Sequence, residues 1–161
     1  MTMRTRKNVS DFTLDQSRES ASERGGEQMR MAIMGAGSLG TIIGGLITKG
    51  GQEIELIDIN KEHVDALNDS GAKITGFLDL CVRVKAILPS EMTGTYDLVF
   101  LLTKQVYNKT TLEQLLPHLS EDSIVCTLQN GVPEDYVSSV IGRERTIGGV
   151  VGFGATWLGP G

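Results

Sequence analysis

The chain has 161 residues, of which 40% are apolar and 22% are charged, and its formal net charge at pH 7 is -5. This length and apolar content predict one well-packed domain and exclude two domains of ordinary size. A sequence pI near 5.0 gives no long-range attraction for nucleic acid or for an anionic membrane, so a phosphate-binding site would have to be local.

Cysteine usage and hydropathy narrow the class of protein further. Cys81 and Cys126 are too far apart for a CxxC pair and have no histidine cluster beside them, which predicts a reducing compartment and no metal site. No apolar run approaches the roughly 20 residues that span a bilayer, and the N-terminus lacks the apolar region of a secretory signal. We therefore expect a soluble cytoplasmic protein.

The first 28 residues are rich in charge and poor in apolar side chains. Apart from two methionines, their sizeable apolar residues are Val9, Phe12 and Leu14. Such a segment cannot bury enough surface to offset the entropy lost on ordering, so we expect residues 1–28 to be a disordered tail. Met29 and Met31 are natural starts, so a reading frame extended upstream is an alternative explanation of the tail.

After the tail, short apolar runs alternate with helical patterns. Strands are predicted at Met31–Met34 and Ile54–Ile57, with a helix over Ser38–Lys49 between them. A second helix is predicted over residues 61–68, where apolar side chains recur at helical spacing. Strict alternation over residues 78–85 predicts one strand with a wet face, at a sheet edge or in a hairpin.

The second half of the chain continues the alternation. Residues 98–102 and 124–128 are apolar on both faces, which predicts central parallel strands. A crossover helix is predicted over residues 106–119, and a short helix with proline in its first turn over residues 133–141. A glycine-rich strand is predicted over residues 146–155. This order predicts the α/β class, with a doubly wound parallel sheet of Rossmann type.

A glycine-rich turn joins the first predicted strand to the first helix. The residues Gly35, Ala36, Gly37, Ser38, Leu39 and Gly40 fit G-x-G-x-x-G at that junction. In this pattern the first glycine permits the tight turn, the second lets a pyrophosphate approach, and the third lets the helix pack on the sheet. No lysine occupies the P-loop position, so phosphate binding would rest on backbone amides, which favours a dinucleotide over a nucleoside triphosphate. Alone, the motif fits a flexible turn equally well.

An acid closes the second predicted strand. Asp58 lies eighteen residues past Gly40, where a carboxylate accepts hydrogen bonds from the adenosine ribose hydroxyls. The alternative is a helix cap, since Asp58 or Asn60 precedes the second predicted helix. Methyltransferases also carry an acid here, but in their pattern an acid usually precedes the first glycine, and here Met34 precedes Gly35. The dinucleotide interpretation is therefore the stronger one.

Four stretches of the sequence together resemble the ketopantoate (2-dehydropantoate 2-) reductase family. They are residues 31–40, 97–104, 129–131 and 148–155. The resemblance covers about residues 30–161 and implies the N-terminal cofactor-binding domain of the family. Members reduce a 2-keto acid to a 2-hydroxy acid on the route to pantothenate, and most use NADPH.

The resemblance also implies roles for individual residues. The turn from Gly35 to Gly40 wraps the pyrophosphate, Lys104 and Asn130 lie beside the nicotinamide and the substrate, and Ala155 lies near the nicotinamide ring. Lys104 and Asn130 each follow a predicted buried strand, and ligands of open α/β sheets lie outside the carboxyl ends of the strands. From the residues alone, a solvated lysine, an Asn-Gly turn and a packed strand alanine remain open as alternatives.

Two departures from the family pattern stand out. Members that prefer NADP usually carry a basic residue after the second strand, whereas this chain has Asp58-Ile59-Asn60. A carboxylate repels the 2′-phosphate, so we expect NAD to be preferred, although Lys61 is near enough to compensate. The family's general-acid lysine belongs to a helical C-terminal domain, which is absent from this sequence. We therefore expect no catalytic residue within the chain and negligible turnover by it alone.

Three functions fit these expectations: the cofactor half of a ketopantoate reductase, a related dehydrogenase acting on another 2-keto acid, and a non-catalytic dinucleotide-binding module. His63 and His118 lie in amphipathic helical patterns and are expected at the surface, outside catalysis. Tyr96 and Tyr107 are left without a role. Without the helical domain, apolar surface stays uncovered, which predicts either instability or self-association of the isolated chain.

Overall fold

The computed structural model describes residues 29–161, so the tail predicted over residues 1–28 lies outside them. The helices and strands, in chain order, are β1 (Met31–Met34), α1 (Ser38–Lys49), β2 (Ile54–Ile57), α2 (Lys61–Ser70), β3 (Ala72–Ile74), β4 (Leu80–Val82), β5 (Lys85–Ile87), β6 (Tyr96–Leu101), α3 (Asn108–Leu115), β7 (Leu119–Thr127), α4 (Glu134–Ile141) and β8 (Thr146–Gly148). Six strands form a parallel sheet in the order β5-β2-β1-β6-β7-β8, and β3 pairs with β4 in a separate antiparallel hairpin.

Both faces of the six-stranded sheet are covered. Successive side chains of a strand point to opposite faces, so Ala32 and Met34 belong to one core cluster and Ile33 to the other. The first cluster includes Leu112 of α3 together with side chains of α4, and the second includes Val64 of α2 with α1 packed against it. Helices on both faces confirm the doubly wound α/β architecture.

The strand order reverses at the centre of the sheet. Strand β1 pairs in parallel with β2 on one side and with β6 on the other. The connections that leave β1 and β6 therefore run to opposite faces and leave a crevice between them, which is where open α/β sheets bind ligands. We call this side of the sheet, where Gly35, Asp58, Thr103 and Asn130 follow their strands, the carboxyl edge.

The strand predicted over residues 78–85 is correctly placed in a hairpin and at a sheet edge, but it is not one continuous strand. The structure has two strands there: β4 pairs antiparallel with β3, and β5 pairs in parallel with β2 at the edge of the main sheet. The alternation of wet and apolar side chains runs through both strands. It therefore carries no sign of the point, at Arg83 and Val84, where the chain leaves one sheet for the other.

Two other predicted elements are too long. The helix predicted over residues 106–119 is α-helical only over Asn108–Leu115, with a short 3-10 helix on each side. Pro117 lacks an N–H to donate, and Leu119 already begins β7. The strand predicted over residues 146–155 ends at Gly148, and residues 149–161 form an irregular segment. No helix in residues 29–161 is long and apolar enough to cross a bilayer.

Candidate functional site

The glycine turn crosses the carboxyl edge at the centre of the sheet. Gly35 has φ +102°, and the amides of Gly35 and Ala36 both donate to the carbonyl oxygen of Ile57, at 2.9 and 3.1 Å. A Cβ on Gly35 would lie 2.7 Å from the Thr103 amide nitrogen, and one on Gly40 would lie 2.3 Å from the Gly35 carbonyl oxygen. The fold itself therefore excludes side chains at Gly35 and Gly40.

Gly37 faces open space instead. Apart from its two chain neighbours, no atom in the described part of the chain lies within 4 Å of a Cβ built there. Thr41 donates the first hydrogen bond of α1, to the Gly37 carbonyl at 2.8 Å, so the amides of Ser38, Leu39 and Gly40 have no carbonyl partner within residues 29–161. No side chain caps this 12-residue helix. Free amides beneath an open glycine fit a pyrophosphate group.

Asp58 follows β2 at the same edge and is half-buried. Its Oδ1 accepts a hydrogen bond from the Asn60 amide at 2.9 Å, whereas Asn60 is the cap of α2 and accepts from the His63 amide at 3.3 Å. The second carboxylate oxygen of Asp58 has no hydrogen-bond partner among the described residues. Lys61 pairs with Asp65 at 2.7 Å, and this hydrogen bond and charge raise the pKa of Lys61 above its usual value. Lys61 is thus already paired with another acid.

A cavity of about 170 Å³ lies against the turn and Asp58. Its walls are the ends of β1 and β2, the loop after β6 and one side of α3; they include Gly35, Asp58, Thr103, Tyr107 and Thr111. Tyr107, left without a role by the sequence, is 60% exposed and forms part of this wall. A carboxylate at one end of an otherwise largely apolar cavity suits a base with its ribose.

Lys104 and Asn130 lie on neighbouring loops, after β6 and β7, and both are exposed. The side-chain amide of Gln105 donates to the Asn130 carbonyl oxygen, and that of Gln129 donates to the Thr103 carbonyl oxygen at 2.5 Å. These bonds tie the two loops together at the carboxyl edge. Neither Lys104 nor Asn130 lines the 170 Å³ cavity.

Gln129 is the residue of this site that sequence reasoning missed. Its Nε2 donates to Asn108 Oδ1 at 2.7 Å, and Asn108 Nδ2 donates back to Gln129 Oε1 at 3.1 Å. Asn108 is 4% exposed and Gln129 9% exposed, and Thr127 adds a hydroxyl at 3.3 Å from Oε1. The pair locks the end of β7 to the start of α3. The sequence offers two hints: Gln129 directly follows a predicted buried strand, and it belongs to the stretch 129–131 that carries the family resemblance.

Ala155 lies in the irregular segment 149–161, rather than in the predicted strand. This segment reaches back to the N-terminal ends of α1 and α2. There it encloses a second cavity, of about 260 Å³, whose lining includes Ala155, Ser38 and Lys73. The structure thus brings Ala155 beside the start of α1, where the free amides of the glycine turn lie.

The prediction that His63 is a surface residue is wrong. Its side chain is 1% exposed, with Nε2 lying 2.8 Å from the Ala36 carbonyl oxygen and Nδ1 lying 3.0 Å from the Gly161 amide nitrogen. A buried imidazole is tolerated because both ring nitrogens have partners. His118 is half-buried, with Nδ1 at 2.9 Å from the Gly94 carbonyl oxygen.

The opposite side of the sheet, which we call the amino edge, carries a closed polar cluster. Glu55 accepts a hydrogen bond from Tyr96 at 2.6 Å and pairs with Arg30, at 3.1 Å, and with Lys85. Burial acts to raise the pKa of the Glu55 carboxyl, but the bonds from Lys85 and Tyr96 and the two cations outweigh it and hold that pKa below its usual value. Burial, together with the bond to Glu55, raises the pKa of Tyr96.

Within residues 29–161, no group of three or more His, Cys, Asp or Glu side chains is arranged to hold an ion. Cys81 and Cys126 are both free, and burial raises the pKa of the Cys126 thiol.

Comparisons with known proteins identify the family of this chain. The family described as ketopantoate reductase PanE/ApbA matches residues 31–161. A 2-dehydropantoate 2-reductase of Pyrococcus abyssi is 37% identical over 138 residues, which are 83% of this chain and 43% of the relative. The crystal structure of 2-dehydropantoate 2-reductase from Geobacter metallireducens GS-15 is 32% identical, with a TM-score of 0.74, over 83% of this chain and 44% of that chain.

A third similar protein carries a different name. The ternary structure of D-mandelate dehydrogenase with NADH and anilino(oxo)acetate is 28% identical, with a TM-score of 0.75, over 82% of this chain and 43% of that chain. The chain thus spans less than half the length of each of these three proteins. By its sequence and its fold, the chain belongs to the ketopantoate reductase family.

Proposed function

We propose that residues 29–161 form the nicotinamide-dinucleotide-binding domain of a reductase that converts a 2-keto acid into a 2-hydroxy acid, with 2-dehydropantoate as the first substrate candidate. The observation that carries this proposal is the set of free amides at Ser38, Leu39 and Gly40, beneath the open side of Gly37. It lies at the reversal of strand order, where dinucleotides bind in such sheets. A dinucleotide bound there supplies hydride for the reduction.

Each candidate residue then has a place along the ligand. The turn from Gly35 to Gly40 binds the pyrophosphate, and within it Gly35 and Ala36 hold the shape, since their amides already donate to Ile57. Asp58 takes the ribose hydroxyls beside the 170 Å³ cavity. Lys104, Asn130 and Ala155 serve the nicotinamide side, and Asn130 contacts the substrate.

Reduction also needs a proton for the developing alkoxide. We assign no general acid among residues 29–161. His63 is fully occupied by structural partners, and His118 bonds to a backbone carbonyl away from the carboxyl edge. We therefore expect the 161-residue chain to bind the dinucleotide and to show negligible turnover by itself.

The environment of Asp58 favours NADH over NADPH. The acid faces the place of the 2′-phosphate, and the cation nearest in sequence, Lys61, is paired with Asp65. Like charges repel across this short distance, so NADPH should bind more weakly.

A fluorescence titration tests the proposal without any need for turnover. Trp157 is the sole tryptophan of the chain. Quenching of its emission and energy transfer from it to reduced nicotinamide therefore both report ligand binding near the segment 149–161. We expect saturable binding of NADH and weaker binding of NADPH. Absence of saturable binding to a sample that is folded by circular dichroism would overturn the proposal.

A second candidate function is reduction of a different 2-keto acid. The specific support is the similarity to D-mandelate dehydrogenase, whose structure contains anilino(oxo)acetate. Titrating the NADH-loaded chain with 2-dehydropantoate and with phenylglyoxylate would separate the two, because the correct keto acid should alter the emission at lower concentration. NADH binding with no response to either acid would favour a dinucleotide-binding module without catalysis.

Exposed apolar side chains lie in the loops that follow the strands at the carboxyl edge. They are Ile59, Val106, Tyr107, Val132, Val150 and Phe153. Soluble monomers rarely concentrate apolar surface in this way, so we propose that the 161-residue chain self-associates through this edge. Light scattering over a concentration series should give a rising mean mass, and a monodisperse monomer would contradict the proposal.

A further inference from the structure

Three parts of the molecule meet at one buried histidine. His63 lies in the first turn of α2, and its Nε2 is 2.8 Å from the Ala36 carbonyl oxygen of the glycine turn and 3.2 Å from Thr41 Oγ1 of α1. On the other side of the ring, Nδ1 is 3.0 Å from the Gly161 amide nitrogen. The ring also packs edge-on against Trp157, with 4.5 Å between the ring centroids.

The partners determine which ring nitrogen carries the proton. The Gly161 amide can only donate, so Nδ1 is the acceptor and holds no proton. The proton then lies on Nε2, which donates to the Ala36 carbonyl oxygen, as the Thr41 hydroxyl also does at 2.7 Å. His63 is therefore a bifunctional bridge: it donates to the glycine turn and accepts from the segment 149–161.

The bridge lies directly beneath the proposed ligand site. The Ala36 peptide that His63 holds immediately precedes Gly37, the open position of the turn. The segment that His63 holds carries Ala155 and closes the 260 Å³ cavity beside Ser38, whose amide is free. Both sides of the bridge thus contribute walls around the start of α1.

We propose that His63 is a positioning residue that couples the glycine turn to the segment 149–161, so that dinucleotide binding at the turn and the placement of the segment depend on each other. The proposal rests on the proposed function, because the ligand at the turn is the dinucleotide. Such coupling is reciprocal. A change that displaces the segment must lower the affinity for the dinucleotide, and a bound dinucleotide must stabilise the position of the segment.

Two substitutions separate the halves of the bridge. His63→Gln keeps an N–H near the position of Nε2, toward Ala36, and loses the acceptor for Gly161. His63→Asn keeps an acceptor near the position of Nδ1 and loses the donor to Ala36. Gly161→Pro removes the N–H of Gly161 without changing the histidine, and a proline cannot adopt φ +97°. Glu62→Gln, at the exposed neighbouring position, is the matched control.

The first measurement needs no ligand. Acrylamide quenching of Trp157 in the 161-residue chain reports how firmly the segment is held. We expect stronger quenching in His63→Gln and Gly161→Pro, and quenching like that of the parent chain in His63→Asn and Glu62→Gln. Parent-like quenching in both His63→Gln and Gly161→Pro, with circular dichroism unchanged, would overturn the role of His63 in holding the segment.

The second measurement is NADH affinity in the same proteins. Coupling predicts that Gly161→Pro lowers the affinity for NADH about fivefold, which is at the lower end of ordinary coupling energies. This substitution leaves the glycine turn itself unchanged. His63→Asn should weaken NADH at least as much, and Glu62→Gln should not change it. An unchanged affinity in Gly161→Pro would overturn the coupling. Failure of the parent chain itself to bind NADH would overturn the proposed function. The acrylamide quenching of the variants would then still show whether His63 holds the segment 149–161.

Discussion

The polar groups at the two edges of the sheet differ in whether they have partners within the fold. At the amino edge, Glu55 accepts from Tyr96 and pairs with two cations, so every charge of the cluster has a partner within the fold. At the carboxyl edge, the amides of residues 38–40 and one oxygen of Asp58 have no partner in the described chain. A cavity of about 700 Å³, larger than those of 170 and 260 Å³, opens at the amino edge. Unsatisfied polar groups, rather than cavity size, therefore indicate where a ligand belongs.

The largest effect we predict concerns a glycine that the fold requires. Gly40→Ala would place a Cβ 2.3 Å from the Gly35 carbonyl oxygen, which is backbone and cannot rotate away. Moving the start of α1 off the sheet should lower the free energy of unfolding by about 3 kcal/mol. Urea unfolding followed by circular dichroism measures this change, and NADH binding should be lost together with stability.

Gly37→Ala is the matched control for that substitution. Its Cβ meets no atom within 4 Å, so stability should stay within about 0.5 kcal/mol of the parent chain. The same methyl group would occupy the approach to the free amides, and NADH should bind at least about tenfold more weakly, a loss of about 1.4 kcal/mol. Equal destabilisation by the two substitutions, or NADH binding unchanged by Gly37→Ala, would contradict the distinction between a structural and a ligand-facing glycine.

The features that the sequence predicts correctly are those in which neighbouring residues carry the signal. The strand, turn and helix around Gly35 to Gly40 are read from one short stretch, and the apolar runs at β1, β2 and β6 place the central strands. His63 is different. Its helical pattern correctly predicts α2, but the two ring nitrogens bond to Ala36 and Gly161, which lie 27 and 98 residues away along the chain.

Two other errors have the same physical origin. The pair of Asn108 and Gln129 forms between residues 21 positions apart, so no local pattern reveals that both amides are buried. The division of residues 78–85 into β4 and β5 depends on which partner strand lies alongside, β3 or β2. Local sequence patterns specify whether a segment is a helix or a strand and which of its faces is buried. Residues distant in sequence determine which strands pair and which buried polar groups find hydrogen-bond partners.

The second prediction concerns the buried amide pair of Asn108 and Gln129 at the carboxyl edge. Gln129→Leu preserves the side-chain volume approximately and leaves the buried Asn108 amide without its partner. An unsatisfied buried amide should cost about 2 kcal/mol in the free energy of unfolding. The double substitution Asn108→Leu with Gln129→Leu should recover part of this loss, because no polar group is then stranded. Additive losses would contradict the pairing.

At the amino edge, the third prediction is a pH dependence. The pKa of Glu55 is lower in the folded chain than its ordinary value of 4.5, so the carboxylate stabilises the fold fully above that pH. The stabilisation is lost as the pH falls below 4.5 through the lowered pKa of the folded state. Glu55→Gln should cost about 1.5 kcal/mol at pH 7 and should lessen the decline in stability between about pH 5 and pH 3. An acid decline as steep as in the parent chain would contradict this account, and NADH affinity should not change.

The smallest effect we predict is at Asp58. Its carboxylate oxygen without a partner in the described chain belongs to the carboxyl edge, where the dinucleotide is proposed to bind. Asp58→Asn keeps an acceptor for the Asn60 amide, so stability should barely change, but it removes the negative charge beside the ribose site. The ratio of NADPH affinity to NADH affinity should rise about tenfold, or about 1.4 kcal/mol, because repulsion of the 2′-phosphate disappears while one ribose acceptor is lost. Glu62→Gln removes an equal charge that does not line the 170 Å³ cavity, and it should leave the ratio unchanged. Equal changes of this affinity ratio in both variants would mean that the net charge of the chain acts through solvent. Only a change confined to Asp58→Asn identifies the Asp58 carboxylate as the group that faces the ribose.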